Sequence, residues 1–87
     1  MHYMVIEKFR EGKIKDVYKR FEEKGRLMPD GLNYVSSWIT EDISTCYQVM
    51  QTDNYEKLSG WMNNWEDLVI FEVVPIITSA DARKRVL

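Results

Sequence analysis

Residues 53–77 read DNYEKLSGWMNNWEDLVIFEVVPII, and this stretch decides most of the fold. In its first half, apolar residues recur at helical spacing, which predicts an amphipathic helix over about residues 54–65. The apolar stripe of this helix consists of Tyr55, Leu58, Met62 and Trp65, with Trp61 at its border. Asp53, answered by Glu56 three residues later, fits a capping box at the helix start.

The second half of the stretch predicts a strand over about residues 68–77. It is apolar on both of its alternating sides and interrupted only by Glu72, which is typical of a strand covered on both faces. A single domain of 87 residues has too few elements to cover both faces of a sheet. We therefore expect a second copy of the chain to cover the face that the helices leave open.

Outward from this stretch, the chain predicts three more strands and another helix. The strands span residues 2–9, 32–39 and 45–51, and the short polar connection between the last two favours a hairpin. The helix presents an apolar face made of Ile14, Val17, Tyr18 and Phe21. Gly25 is well placed to end this helix in a left-handed conformation, and proline and glycine in residues 28–31 predict a turn.

The order βαββαβ predicts an α+β fold of the ferredoxin-like type. Right-handed crossovers place both helices on one face of a four-stranded antiparallel sheet with strand order 4-1-3-2. This domain is expected to span residues 1–78, and Ser79 is expected to cap a short helix in the tail, residues 79–87. Apolar residues such as Ile70 and Val74 would remain on the uncovered sheet face, so we expect a homodimer formed through that face.

Composition and charge exclude several classes of function. The chain is 45% hydrophobic, 13% aromatic and 30% charged, and its net charge of −2 gives no field that would gather nucleic acid or anionic membranes. No run reaches the roughly 18 apolar residues of a membrane span. A lone cysteine, Cys46, and the lack of a secretory signal predict a cytoplasmic protein. His2 is the only histidine, so no histidine-based metal site is expected. No glycine-rich phosphate loop or metal-ligand spacing is present either, and no cofactor is expected.

Two carboxylates are candidates for acid–base chemistry. Glu7 and Glu72 lie in apolar strands that are expected to be neighbours at the centre of the sheet. If both face the open side, their apolar surroundings would raise their pKa values, as general acid–base catalysis requires. The simpler alternative is that each lies at a strand end or pairs with a nearby cation, for which Lys8, Lys24 and Arg26 are available.

Aromatic side chains are candidates for a ligand pocket. The positions of Trp38, near the end of the second strand, and Trp61 are not demanded by the two helix stripes. Both indoles are expected to flank a cleft for a small apolar or aromatic molecule, which Tyr34 or Tyr47 would orient through a hydroxyl group. The alternative is that these rings belong to the core or to the dimer interface.

Short matches along nearly the whole chain carry a resemblance to a known family. They are Tyr3-Met4-Val5-Ile6, Lys8-Phe9, Phe21, Pro29-Asp30-Gly31, Trp38, Thr52-Asp53, Trp65, Asp67-Leu68, Phe71-Glu72-Val73 and Pro75. In their order and spacing the chain resembles a family of small bacterial and archaeal proteins that is described as a domain of unknown function and placed in the dimeric α/β-barrel superfamily. The resemblance implies a dimer that binds small organic molecules between helices and sheet, or within the dimer barrel.

The resemblance implies an activity less directly than a fold. Its superfamily includes cofactor-free monooxygenases of the antibiotic-biosynthesis type, muconolactone isomerases and stress-responsive barrel proteins. The family often has a histidine after Trp38 and a glutamate near the end of the third strand, whereas this chain has Ile39 and Gln51 there. An acid–base site built from that histidine and glutamate cannot operate here.

Three functions from different classes remain open at this stage. The first is a homodimer that binds a small apolar or aromatic molecule. The second is a cofactor-independent monooxygenase or isomerase, and the third is an interaction module whose dimer or sheet edge serves a partner protein. A closed apolar pocket favours the first two, whereas a solid core with a large exposed groove favours the third.

Overall fold

Four strands and three helices follow one another along the chain, and the computed structural model describes all of residues 1–87. The elements are β1 (His2–Phe9), α1 (Ile14–Lys24), β2 (Leu32–Ile39), β3 (Thr45–Thr52), α2 (Tyr55–Met62), β4 (Val69–Ile76) and α3 (Ser79–Val86). Neighbouring strands are all antiparallel, in the order β2-β3-β1-β4. The predicted ferredoxin-like topology and strand order are therefore confirmed. None of the helices combines the length and the hydrophobicity that crossing a membrane requires.

The two faces of the sheet differ in what covers them. The helix face lies against α1 and α2, and its residues on the two central strands are Tyr3, Val5, Glu7, Phe9, Cys46, Gln48, Met50 and Thr52. The open face carries His2, Met4, Ile6, Lys8, Tyr47, Val49, Ile70, Glu72, Val74 and Ile76. No element of the chain covers the open face, although β1 and β4 are apolar on both sides, as predicted from the sequence.

A β-bulge interrupts β2 and changes which side chains reach the helix face. Tyr34 pairs with Met50, but the register shifts before Ser36, which pairs with Val49. One extra residue therefore lies in β2, and the alternation of sides is reversed beyond it. As a result Trp38 points to the open face, although it shares its parity in the sequence with Tyr34.

The packed core lies under α2 and leaves the space under α1 unfilled. It consists of Tyr3, Val5, Leu32, Met50, Leu58, Trp61, Trp65, Leu68 and Val69. Trp61 is only 3% exposed and belongs to this core, so the prediction that it lies at the border of the helix stripe is wrong. Tyr55, expected in the stripe, is 47% exposed and packs its ring 5.4 Å from that of Tyr3. α1 contributes no buried residue.

The start of α2 differs from the predicted capping box. The side chain of Asn54, not of Asp53, accepts a hydrogen bond from the backbone N–H of Glu56 at 3.0 Å. The hydroxyl of Thr52 explains the difference, because it donates to the carbonyl of Gly31 at 2.8 Å and accepts from the backbone N–H of Asn54 at 3.1 Å. These bonds set the chain direction so that Asn54 occupies the first capping position.

Other helix ends follow the sequence more closely, with two corrections. α1 ends at Gly25, whose φ of 68° confirms the predicted positive-φ position. α2 ends at Met62, earlier than predicted, because Asn63 and Asn64 favour turns over helix interiors. α3 is capped by Thr78, which accepts from the N–H of Asp81 at 3.1 Å, and not by Ser79.

Gly60 in α2 offers a test of local helix stability. A Cβ atom at this position would meet no heavy atom within 4 Å. We expect Gly60→Ala to raise the free energy of unfolding by about 0.5–1 kcal/mol, because alanine loses less backbone entropy in a helix. Urea unfolding measures this difference. Gly25→Ala is the contrasting variant and should lower stability, since φ at Gly25 is 68°. A loss of stability in Gly60→Ala would contradict the open surroundings of that position.

Candidate functional site

A cavity of about 210 Å³ lies between α1 and the helix face of the sheet. Eight of the 12 residues that line it are hydrophobic. The lining consists of Glu7, Phe9, Val17, Tyr18, Phe21, Arg26, Ser37, Ile39, Cys46, Gln48, Trp61 and Trp65. An apolar cavity of about 150 Å³ is enough to bind benzene in another protein, so this space accommodates one substituted aromatic ring.

The strands β1, β2 and β3 form the side of the cavity opposite α1, and most of the polar groups of the cavity lie on these strands. Glu7 pairs with Cys46 across β1 and β3, so these two side chains lie beside each other on the helix face. Gln48 and Ser37 form the next cross-strand pair, between β3 and β2. The bulge in β2 is what turns Ser37 toward the cavity. A few polar groups in an otherwise apolar space are typical of sites that orient small organic ligands.

Glu7 is the one carboxyl group in this cavity. Burial raises the pKa of Glu7 above its ordinary value, while the neighbouring Cys46 thiol and the positive charge of Arg26 lower it in part. Since desolvation outweighs the two opposing effects, the neutral carboxyl is favoured at a higher pH than in water. The side chain can then donate a hydrogen bond in addition to accepting one.

The Cys46 thiol is an inert neighbour of Glu7. Burial and, to a smaller extent, the adjacent Glu7 carboxyl raise the pKa of Cys46 to about 12. The thiolate is the nucleophilic form of cysteine, and it does not form near neutral pH at such a pKa. Cys46 therefore acts here as a small, packed side chain.

Arg26 lines the cavity just beyond the end of α1. Aromatic residues contact both its backbone carbonyl and its guanidinium group. Its backbone carbonyl accepts hydrogen bonds from the indole N–H of Trp61 at 2.7 Å and of Trp65 at 3.1 Å. Its guanidinium lies 3.9 Å from the ring centre of Tyr34 and 5.0 Å from that of Phe21. Cation–π contacts of this kind orient the guanidinium without neutralising its charge.

The structure brings together only some of the residues predicted as a site. Trp61 and Glu7 line the cavity. Tyr34 lies beside it, where its hydroxyl forms a hydrogen bond of 2.8 Å with Ser37. Trp38 and Tyr47 pair with each other on the open face, so Trp38 and Trp61 do not share a cleft within the protomer.

Glu72 is separated from Glu7 by the sheet. Glu72 pairs with Ile6 on the open face, whereas Glu7 pairs with Phe71 on the helix face. The condition under which both carboxylates would act together, a shared face, is therefore not met. Of the two carboxylates, only Glu7 adjoins the cavity.

Sequence reasoning missed Ser37 and Gln48 as cavity residues, and it named Arg26 only as a possible ion-pair partner of Glu7. Gln48 had a recognisable signal, because it lies between Cys46 and Met50 on the otherwise apolar side of β3 that faces the helices. Arg26 had none, since a cation after a helix-ending glycine is ordinary at the surface. Its place over the cavity follows from the packing of Tyr34 and Phe21 around it.

Replacing Glu7 with glutamine tests its buried state. Because the pKa of Glu7 is raised in the folded chain, its stabilising effect is fully present below the unfolded pKa of about 4.3 and is lost as the pH rises through the folded pKa. We expect Glu7→Gln to melt at a higher temperature than the unmodified protein at pH 8, with the difference shrinking toward pH 4. In a domain of this size, a change of about 1 kcal/mol in the free energy of unfolding shifts the melting temperature by about 4–8 °C.

Glu11→Gln is the matched control for Glu7→Gln, since it removes the same charge at an exposed position. Melting temperatures of the three proteins between pH 4 and pH 8 provide the measurement. A Glu7→Gln effect that is independent of pH, or that lowers stability at pH 8, would contradict the assignment of Glu7 as a desolvated carboxyl.

The fold and the cavity together define a small α+β domain of the ferredoxin-like type, with an apolar, ligand-sized space between one helix and the sheet. The chain belongs to the family described as Domain of unknown function (DUF3303), whose family model matches residues 1–87. The resemblance to a domain-of-unknown-function family is thereby confirmed. Comparisons with curated proteins and with solved structures gave no match.

Proposed function

We propose that the protein is a homodimer that binds one small apolar or aromatic molecule in the cavity under α1. The observation that carries this proposal is that α1 has an apolar stripe but no buried residue. A helix of this kind normally buries its stripe against the core. Here Val17, Tyr18 and Phe21 line a cavity from the side of α1. A bound ligand would bury their apolar surface, and this burial contributes about 25 cal/mol of stabilisation per Å².

The open sheet face supports the dimer in this proposal. Its apolar residues include Ile70, 52% exposed, and Trp38, 74% exposed. Four strands of eight residues cover roughly 19 by 26 Å, about 500 Å² in plan, so two such faces would bury about 1,000 Å² or more. The same face carries one acidic residue, Glu72, and one lysine, Lys8, so these charges cancel and two identical faces are not kept apart by a net charge.

A second candidate function is acid–base catalysis of the isomerase type. The observation that favours it is the presence of one carboxyl group with a raised pKa, Glu7, in an apolar cavity. Such a group can take a proton from carbon and return it at another position of a bound substrate. If this candidate holds, Glu7→Gln abolishes turnover but leaves ligand affinity nearly unchanged.

Thermal shift with neutral single-ring probes tests the binding proposal. We expect toluene and p-cresol to raise the melting temperature, since a ligand that binds only the folded state at 100 times its Kd adds about 2.7 kcal/mol of stability. The increase would then be on the order of 10 °C or more. Tryptophan fluorescence in a Trp38→Phe background gives a second readout, because Trp61 and Trp65 line the cavity.

Val17→Phe and Lys15→Phe form a matched pair of variants for this test. Val17 lines the cavity from α1, so a larger ring there fills the space and should abolish probe binding without unfolding the protein. Lys15 lies on the same helix, is exposed and does not line the cavity, so Lys15→Phe should bind the probes normally. Equal binding by both variants, or no shift with any probe, would rule out the cavity as the site.

A further inference from the structure

Arg26 differs from the other cations of the chain in the partners of its guanidinium group. Arg20 forms an ion pair with Asp67 at 2.8 Å, whereas the guanidinium of Arg26 takes part in no ion pair. Its Nε atom is buried and has no hydrogen-bond partner. A buried donor without a partner costs free energy. Arg26 is therefore incompletely satisfied by the chain itself.

No side chain of the cavity forms an ion pair or a hydrogen bond with the Arg26 guanidinium. Tyr34 and Phe21 contact the guanidinium through their ring faces. The one carboxyl group in the cavity is Glu7, and its pKa is raised by burial in spite of the charge of Arg26. Glu7 acts on the Arg26 guanidinium only through its charge at a distance, since the two side chains form no ion pair. The other polar lining groups, from Ser37, Cys46 and Gln48, are neutral.

We propose that the ligand of this cavity carries a planar carboxylate, which Arg26 binds through its guanidinium while the apolar body of the ligand contacts Phe21, Trp61 and Trp65. This inference rests on the proposed binding function and specifies the ligand class. A guanidinium presents its N–H donors in a planar fork that matches the two oxygens of a carboxylate. The aromatic rings that hold Arg26 keep this fork at the edge of an apolar space of about 210 Å³.

Affinity for two ligands of the same shape tests the inference. The probes are 4-methylbenzoate and its neutral analogue 4-methylbenzamide, titrated by isothermal calorimetry into the full chain. We expect 4-methylbenzoate to bind at least about tenfold more tightly, because hydrogen bonds to charged groups are stronger than neutral ones. Arg26→Gln should abolish this preference and leave the affinity for 4-methylbenzamide nearly unchanged.

Arg10→Gln is the matched control, because it removes the same charge at an exposed position outside the cavity. It should retain the preference for the carboxylate. Equal affinities in the unmodified protein, or a preference that survives Arg26→Gln, would overturn the inference while leaving the binding proposal intact. Failure of both probes to bind would overturn both. If Arg26→Gln does not fold, the comparison of the two probes in the unmodified protein decides.

Discussion

Trp61→Ala is expected to lower the free energy of unfolding by about 3–5 kcal/mol, the range observed when a large buried aromatic residue is removed. The indole is only 3% exposed and lies 5.7 Å from the ring of Phe71 on β4. Its N–H also donates a hydrogen bond to the Arg26 carbonyl at 2.7 Å, so the variant loses both packing and a polar contact. Domains of this length have a total stability of about 4–13 kcal/mol. The loss expected for Trp61→Ala is therefore a large share of the total free energy of unfolding.

Denaturant unfolding followed by circular dichroism measures this loss. Trp61→Phe is the matched variant, because it keeps an aromatic ring and removes the N–H donor and part of the volume. We expect it to lose about 1–2 kcal/mol, less than the alanine variant. A Trp61→Ala protein within about 1 kcal/mol of the unmodified chain would show that the core under α2 does not depend on this side chain.

Ile70→Asp is expected to convert the proposed homodimer into monomers. Ile70 lies on the open face and is 52% exposed in the single chain, so the substitution leaves the core of the protomer intact. In a face-to-face dimer the same position would be covered, and an aspartate there would be a buried charge without a partner. The expected result is a fall in solution mass from two chains to one, measured by light scattering at micromolar concentration.

Ile43→Asp is the matched control for the dimer test. Ile43 is 47% exposed, lies between β2 and β3, and has a φ of 58°, which aspartate tolerates better than isoleucine. This variant should keep the mass of the unmodified protein. A single-chain mass for the unmodified protein, or an unchanged mass for Ile70→Asp, would contradict a dimer formed through the sheet.

Two consequences link the core and the open face. A dimer that unfolds to two chains becomes more stable as the protein concentration rises. The stability of the unmodified protein should therefore depend on concentration, and that of Ile70→Asp should not. The change caused by Trp61→Ala should be similar in both backgrounds, because Trp61 packs inside the protomer.

The candidate site was only partly predictable, since its members come from five separated parts of the chain. Glu7 was recognised as a polar residue in an apolar strand, and Trp61 as a large aromatic near the helix stripe. Neither observation predicted that Arg26 would lie between Tyr34 and Phe21. Such contacts join residues that no local periodicity relates.

The elements and their order could be read from the sequence, because alternation in strands, helical spacing and the turn residues are local signals. The observed bounds of β1 and β2 agree with the predicted ones, and the strand order follows from the connections. The side of the sheet that Trp38 occupies could not be read from the sequence, because it depends on the register between β2 and β3. The bulge after Tyr34 adds one residue to β2 without a turn signal, and with a period of two a single residue reverses every later side chain. The cavity under α1 could not be predicted from the sequence either. Apolar spacing shows which side of a helix faces the sheet, but it does not show whether side chains fill the space between the helix and the sheet.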